Sequence, residues 1–169
     1  MSAVFDSIED VKSQASRYDA VLVAYSGGKD SLVTIDLLAK YFKRIEGFCM
    51  SFVVGLDVTK KYIQFAKDRW GVDIQEIEHW AARKQKLNGL RCPPTDVEGP
   101  LSLAETIAEQ KKAYGIDLCA TGTRAAESLG RRAGLRRREQ GIASGAWPGD
   151  WHPIAWWTRG EVVAYLNQN

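Results

Sequence analysis

The sequence predicts an α/β protein built on a doubly wound, mostly parallel five-stranded sheet that is flanked by helices. Four short apolar runs have the length and composition of buried strands, and they cover residues 20–25, 47–54, 72–77 and 116–121. A segment in which apolar residues recur at helical spacing separates each run from the next. Strands that alternate with helices are typical of a parallel sheet with helices on both faces.

Size and composition place the whole chain, residues 1–169, in one domain. The 169 residues are 45% hydrophobic and 26% charged, which is typical of a globular protein. No apolar run is long enough to cross a bilayer, and the amino terminus lacks the profile of a signal peptide, so we expect no membrane association. Three cysteines without a CxxC pair favour a reducing compartment, so we expect a cytoplasmic protein.

Capping boxes predict where three helices begin, since an N-cap Ser, Thr or Asp is followed three residues later by Glu. The pattern occurs at Asp6, Ser102 and Thr158. It predicts helices over residues 5–18 and 102–114 and a last helix near the end of the chain. The stretch 87–100 has two glycines and three prolines, so it is either an ordered excursion or a mobile lid. The glycine-rich stretch 140–150 is expected to be mobile.

The chain is organised around residues 26–31, with the sequence SGGKDS, which follow the first predicted strand and precede a helix. Glycines let a backbone approach a phosphate closely, and the N–H groups of a first helical turn point at such a ligand. Ser26 and Ser31 add hydroxyl groups. Lys40, Lys43 and Arg44 are expected at the far end of this helix, where cations suit its dipole. The segment therefore predicts an anion site.

The loop is not a Walker A motif, because Val23 stands where that motif needs a glycine and Asp30 follows Lys29. SGGKDS directly after a strand instead resembles the pyrophosphate-binding loop of the PP-loop ATP pyrophosphatases (adenine nucleotide α-hydrolases). Members of that group cut ATP between its α and β phosphates. The resemblance implies a Rossmann-like fold of the adenine nucleotide α-hydrolase type. It also implies ATP or a related adenine nucleotide and Mg²⁺ as cofactors.

Two later segments resemble the PAPS-reductase branch of the same group. They are residues 121–132 (TGTRAAESLGRR) and residues 151–165 (WHPIAWWTRGEVVAY). The branch includes sulfonucleotide reductases, the small subunit of one kind of ATP sulfurylase and enzymes of DNA sulfur modification. If the first and fourth strands are neighbours, the Gly-Thr-Arg of the first segment lies beside SGGKDS, where α/β sheets bind ligands.

The resemblance implies roles for individual residues. Lys29, Asp30 and Arg124 are the expected catalytic residues, and Asp30 is also the expected metal ligand. The expected nucleotide-binding residues are Tyr25, Ser26, Gly27, Gly28, Lys29, Asp30, Ser31, Val53, Val54, Gly122, Arg124, Arg131 and Arg132. The serines and glycines of the loop would hold pyrophosphate and Lys29 would neutralise it. Arg124 would contact phosphate from the other wall, and the backbone near Val53 would contact adenine.

Several residues leave alternatives open. Glu127 either orients Arg124 or Arg131 through an ion pair or binds a metal. Asp57 stands near the position where members of the branch often carry Asp-Thr-Gly, a motif that is absent here. His79 is expected at the surface and His152 in a packing role.

The cysteines disfavour a sulfonucleotide reductase. Cys49 and Cys119 fall in predicted core strands, where they would be buried apolar residues. The reductases need a cysteine near the carboxyl terminus, and the segment after the tryptophans contains none. Cys92, beside two prolines, is the only candidate for a reactive thiol, and the alternative is a structural cysteine of the loop.

Two hypotheses on function follow. The first is an enzyme that adenylylates an acceptor with release of pyrophosphate, after which a sulfur or amine donor displaces AMP. The second is a nucleotide-binding module, or a subunit of a nucleic-acid-modifying complex. Residues 120–141 carry six arginines against two glutamates, a charge of +4 in a chain of net charge +2. This patch and the tryptophans around residue 151 suggest a nucleic acid or a protein as a partner, and a homodimer is a further expectation.

Overall fold

The sheet of the protein has five parallel strands in the order β3-β2-β1-β4-β5. A computed structural model describes residues 3–90, 93–139 and 150–169. The strands are β1 (Ala20–Ala24), β2 (Arg44–Ser51), β3 (Ile74–Glu78), β4 (Cys119–Thr121) and β5 (Asp150–Trp151). The fifth strand has only two residues and pairs with β4. The predicted parallel α/β architecture is confirmed.

Seven α-helices and one 3-10 turn connect and flank these strands in the described parts of the chain. The helices are α1 (Ala3–Arg17), α2 (Lys29–Ala39), α3 (Asp57–Trp70), α4 (Trp80–Leu87), α5 (Leu103–Tyr114), α6 (Leu129–Glu139) and α7 (Arg159–Gln168). The 3-10 turn covers Ala125–Glu127. None of the described helices is long and apolar enough to span a membrane.

Helices cover both faces of the sheet, and the alternation of side chains along β1 shows why. Val21 and Val23 point to one face, into a cluster with residues of α2 and α7. Leu22 points to the other face and packs in a cluster with Ile107 of α5 and Phe48 of β2. Successive residues of a strand face opposite sides, so an apolar run buried on both faces needs helices on both. The three middle residues of the central strand, Val21, Leu22 and Val23, are therefore fully buried.

Most predicted helix ends are found, with corrections at the start of α1 and at the end of α2. The Ser102 and Thr158 hydroxyls cap α5 and α7 as predicted. Asp6 does not cap α1, because that helix begins at Ala3 and Asp6 lies within its first turn. The helix after the loop ends at Ala39, so Lys40 is its C-cap and Arg44 opens β2. A cation is thus retained at the helix end only at Lys40.

The segment after β3 also differs from the prediction. Helix α4 was not predicted, and its N-cap is His79, whose ring accepts a hydrogen bond from the Ala81 N–H. Among the described residues after α4, Thr95 contacts this helix: its N–H donates to the Lys86 carbonyl at 3.2 Å. Of the other stretch that was expected to be mobile, residues 140–149 lie outside the described chain.

Candidate functional site

The loop of residues 26–31 lies where the order of the strands reverses. The chain runs outward from β1 through β2 to β3, and then returns to the other side of β1 with β4. Strands β1 and β4 pair directly, with Ala24 opposite Thr121. The expectation that SGGKDS and Gly122-Thr123-Arg124 are neighbours is therefore confirmed. In open α/β sheets this position is the crevice where ligands bind.

Gly122 is needed for this close approach. A Cβ atom on Gly122 would lie 2.9 Å from the Asp30 carbonyl carbon and 3.0 Å from the Ser31 nitrogen. Real Cβ atoms do not approach a backbone so closely, so any other residue would push the start of α2 away from β4. The role shown for Gly122 is thus packing of the helix end.

The loop itself is held by its own hydroxyl groups. The Ser31 hydroxyl donates to the Gly28 carbonyl at 2.8 Å, and the Ser26 hydroxyl lies 3.2 Å from the Ser31 hydroxyl. Gly27 has φ of +70°, and a Cβ on it would lie 3.0 Å from the Tyr62 ring. Gly28 then caps α2 without a side chain, which leaves the N–H groups of the first turn for a ligand. The two serine hydroxyls therefore stabilise the conformation of the loop through hydrogen bonds within it.

Asp30 and Arg124 form a buried ion pair that joins the loop to the opposite wall. The Arg124 Nε donates to the Asp30 Oδ1 at 2.7 Å, and its Nη2 donates to Oδ2 at 3.4 Å. A third donor, Nη1, reaches the Trp157 carbonyl at 3.3 Å. The Arg124 side chain is only 5% exposed. The structure therefore corrects the expected place of Arg124: it holds the loop through Asp30 and does not face the open crevice.

Lys29 completes this group of charges. Its Nζ lies 2.7 Å from the Asp30 Oδ2, and its side chain is 40% exposed. Two cations thus share one carboxylate, and the exposed one can turn toward a ligand while Arg124 keeps Asp30 neutralised. Such an arrangement places a net positive charge beside the helix end, where anions bind favourably.

The structure shows the ion pair that one of the two alternatives for Glu127 predicted. Its Oε2 forms an ion pair with the Arg131 guanidinium and accepts a hydrogen bond from the Arg124 N–H. Glu127 therefore orients Arg131 by its side chain, while the Arg124 side chain pairs with Asp30. Arg131 lines the crevice, whereas Arg132 is exposed and lies outside its lining.

The crevice opens into a cavity of about 620 Å³, which is within the range of small-molecule sites. Polar residues of the loop and of the segment after β4 line one part of it, and they include Ser26, Asp30, Ser31, Thr123 and Arg131. Apolar residues of β2 and α5 line the other part, and they include Phe48, Met50, Leu103 and Ile107. The cavity is therefore amphipathic, with the anion site at one end.

Val53 and Val54 are not part of this cavity lining. Strand β2 ends at Ser51, and both valines lie beyond it with more than half of their surface exposed. The predicted second strand ran three residues too far, because Phe52, Val53 and Val54 continue its apolar pattern. Val53 and Val54, where the resemblance implies adenine contacts, therefore lie outside the cavity, whereas Phe48 and Met50 of β2 face it.

Two histidines line the cavity, and the sequence did not single out either as part of a site. His79 is half-buried and stacks on Phe52 with ring centroids 4.7 Å apart. Burial lowers its pKa. Because Nδ1 accepts the Ala81 N–H at 3.0 Å, the proton of the neutral ring is on Nε2. The Nδ1 of His152 lies 2.7 Å from the Thr121 hydroxyl. Their positions at strand ends are the signal that could have found them.

The described residues do not build a magnesium site. Mg²⁺ needs oxygen ligands in octahedral geometry, commonly one or two carboxylates with phosphate oxygens. No group of three or more potential metal-ligating side chains occurs in the described parts of the chain. Both carboxylates of the cavity are paired with cations, Asp30 with Lys29 and Arg124, and Glu127 with Arg131. The set therefore suits an anion, and a magnesium ion would depend on the nucleotide for its ligands.

Two of the three cysteines are buried in the sheet, as predicted. Cys119 is fully buried in β4, and Cys49 is 6% exposed in β2. Burial raises the pKa of the Cys49 thiol, which disfavours the reactive thiolate. Cys92 lies outside the described residues.

A glycine loop and a helix end lie at the switch point of a parallel sheet, with a cation and an amphipathic cavity beside them, and together they form a candidate anion site. The phosphoadenosine phosphosulfate reductase domain matches residues 20–169, which is most of the chain. The chain belongs to that family. This match confirms the predicted resemblance to the PAPS-reductase branch.

Solved structures share the fold at low sequence identity. The U34-tRNA thiolase NcsA from Methanococcus maripaludis, solved with its 4Fe-4S cluster, is 16% identical with a TM-score of 0.55. The alignment covers 97% of this chain and 63% of that one. The NH3-dependent NAD synthetase from Campylobacter jejuni subsp. jejuni, in complex with nitrate, is 13% identical with a TM-score of 0.63, over 98% of this chain and 72% of that one. The likeness shows the fold alone. A search of curated proteins found no match.

Proposed function

We propose that the protein binds ATP or a related adenine nucleotide in the cavity at the carboxyl ends of β1 and β4. It then transfers the adenylyl group to an acceptor and releases pyrophosphate. The observation that carries the proposal is the position of the N-terminus of α2. This helix begins at Lys29 and lies at the switch point of the sheet. Membership of the PAPS reductase domain family supports a nucleotide as the ligand.

The cavity supports one orientation of the nucleotide. The phosphates lie at the N–H groups of the first turn of α2, where the helix dipole and Lys29 stabilise negative charge. The base lies in the apolar part between β2 and α5, against Phe48 and Met50. The Nε2–H of His79 is a donor at that part of the cavity, suited to a ring nitrogen of a base. The amphipathic cavity thus matches an amphipathic ligand.

In the proposed reaction a nucleophilic atom of the acceptor attacks the α-phosphorus. The bond from that phosphorus to the oxygen that bridges to the β-phosphorus breaks, pyrophosphate leaves with the electron pair, and the acceptor loses its proton to solvent. The transfer needs positioning and neutralisation of charge more than covalent help. Lys29 turns from Asp30 to the leaving phosphate, while Arg124 keeps the Asp30 carboxylate in place.

A second step follows from the chemistry of the adenylylated acceptor. A sulfur or amine nucleophile displaces AMP, because AMP is a good leaving group once it is bonded to the acceptor. Two proteins that share the fold are a tRNA thiolase and an NH3-dependent NAD synthetase, and a sulfur and an amine nucleophile are consistent with these activities. The buried thiols of Cys49 and Cys119 are unsuited to supply the sulfur.

The test is release of pyrophosphate and AMP from labelled ATP in the presence of Mg²⁺. We expect slow release by the native chain and a loss of about 100-fold or more in Lys29→Ala, in the range for removal of one transition-state donor. Lys43→Ala is the matched control, since Lys43 lies just before β2 at the opposite end of the sheet and is 85% exposed. Equal rates in Lys29→Ala and Lys43→Ala would refute the proposal. Tight binding of ATP without any release would favour a nucleotide-binding module.

A further inference from the structure

We propose that a second cavity, between α1 and the segment that follows β5, binds an unpaired nucleobase. In the same proposal the exposed arginines of α6 hold the phosphates of that nucleic-acid strand. The inference rests on the proposed function in one respect: the strand would be the acceptor of the adenylyl group. Binding of the strand itself is testable without ATP.

Helix α6 presents cations that no described carboxylate neutralises. Arg132, Arg136 and Arg137 are exposed, and in the described chain no acidic side chain lies within ion-pair distance of them. Arg131 differs, because Glu127 pairs with it. Arg132 and Arg136 are one turn apart on the same face of the helix, a rise of roughly 6 Å. This is about two nucleotide steps of a strand at about 3.4 Å each. The helix therefore suits a phosphate backbone.

The second cavity begins under this helix. It has a volume of about 550 Å³, and Leu135, the one residue of α6 that is buried among those described, lies in its wall. Its other lining residues come from α1 and from the segment after β5, and they include Asp6, Asp10, Trp151, His152, Pro153 and Trp156. A ligand whose phosphates lie on α6 can thus place a neighbouring group in the cavity.

The lining matches a base and excludes a phosphate. Trp151 and Trp156 offer indole rings, of which Trp156 is 41% exposed, and bases stack on such rings. Asp6 is exposed and forms no ion pair within the described chain, and Asp10 accepts the Trp151 Nε1–H at 2.6 Å. Carboxylates accept hydrogen bonds from the amino groups of cytosine and repel anions.

The same two carboxylates decide between a nucleic acid and an acidic protein. An acidic peptide would pair with the arginines of α6 but would bring further carboxylates against Asp6 and Asp10 in the cavity. A single strand brings its charge to the helix and a neutral base to the cavity. Recognition of unpaired bases by aromatic and polar side chains is the usual route to single-stranded nucleic acids.

His152 connects this cavity to the nucleotide cavity, because it lines both. Its Nδ1 lies 2.7 Å from the hydroxyl of Thr121, which ends β4 at the edge of the nucleotide cavity. The two cavities therefore share a wall. A base held beside His152 is next to the site proposed for the phosphates of ATP, as an acceptor has to be.

The test measures fluorescence anisotropy of labelled 15-nucleotide oligo(dC), oligo(dA) and oligo(dT) without ATP. We expect oligo(dC) and oligo(dA), whose bases carry amino groups, to bind about tenfold more tightly than oligo(dT). With three phosphates neutralised, affinity falls about 20-fold between 50 and 200 mM salt. In Arg136→Ala/Arg137→Ala that fall shrinks to about threefold. Lys60→Ala/Lys61→Ala on α3 is the matched control and keeps the native salt dependence.

The cavity is tested separately from the helix. We expect Asp6→Ala to lose the preference for amino-bearing bases while its salt dependence stays native. Trp156→Leu weakens binding of all three oligonucleotides about tenfold. Circular dichroism of each variant checks the fold, and Trp156→Leu provides a second probe of the cavity that does not depend on α1.

Three results would overturn the inference. They are no binding of any oligonucleotide at 50 mM salt, equal binding of polyglutamate, which would assign an acidic protein to α6, and equal binding of the three oligonucleotides by the native chain. Release of pyrophosphate from ATP without an acceptor is expected to be unchanged in Arg136→Ala/Arg137→Ala. A failure of nucleic-acid binding is therefore distinguishable from a failure of the proposed adenylyl transfer.

Discussion

Removing either partner of the Asp30–Arg124 ion pair should destabilise the protein, but by unequal amounts. In Asp30→Asn the guanidinium stays charged and buried, with 5% of its side chain exposed and no carboxylate to pair with it. Breaking a buried pair in this way costs about 4 kcal/mol. In Arg124→Met the carboxylate keeps Lys29 at 2.7 Å and its own 15% exposure, so the cost is about 2 kcal/mol, close to that of the lost charged hydrogen bonds.

Thermal and urea unfolding measure both costs. For a chain of this length each kcal/mol shifts Tm by about 3 °C, so we expect losses of about 12 °C in Asp30→Asn and about 6 °C in Arg124→Met. The double variant Asp30→Asn/Arg124→Met has no unpaired buried charge, and we expect it to be more stable than Asp30→Asn alone.

Two outcomes of these unfolding measurements would contradict the role given to the ion pair. If Arg124→Met lowers the free energy of unfolding as much as Asp30→Asn does, then Lys29 does not compensate for the lost guanidinium. If the double variant is less stable than both single variants, the pair is not an isolated charge pair. In either case Arg124 would act through more than its contact with Asp30.

Two further predictions follow from a close approach and from a raised pKa. Gly122→Ala should cost about 1–3 kcal/mol in urea unfolding, because its Cβ would lie 2.9 Å from the Asp30 carbonyl carbon. The control Gly134→Ala, in α6 with open space around it, should gain up to about 1 kcal/mol, and a comparable loss there would contradict the packing argument. Burial, with the hydrogen bond to Asp36, raises the pKa of Tyr165 from 10.0 to about 12. The contribution of the neutral phenol to stability is therefore present below pH 10 and is lost as the pH rises toward 12. Tyr165→Phe should flatten this part of the pH profile of unfolding, and an unchanged profile would assign the loss to another group.

Local patterns predicted the anion loop and most helix starts, because these depend on neighbours along the chain. The six residues of SGGKDS are enough to predict the anion loop. Four residues are enough to predict each of the helix caps at Ser102 and Thr158. The pairing of β1 with β4 was considered as an inference from the fold class alone, and the structure shows it.

The sequence predictions were wrong at two places, where apolar residues continue past the end of a strand and where a short helix lacks an apolar stripe. Val53 and Val54 extend the pattern of β2 although the strand ends at Ser51. Helix α4 is short and mostly polar, so it lacks the stripe of apolar residues that a periodicity argument needs. In both places the contacts with the rest of the protein, and not the local pattern, decide the conformation.

The sequence by itself determined the class of this protein: a parallel α/β fold with a PP-loop, and membership of the PAPS reductase domain family. Only the tertiary structure decided what the charged side chains do. Arg124 turned out to hold Asp30, Glu127 to hold Arg131, and His152 to lie between two cavities. The physical reason is that a charge acts through space, so its role depends on partners far apart in sequence, such as Asp30 and Arg124, which no local pattern pairs.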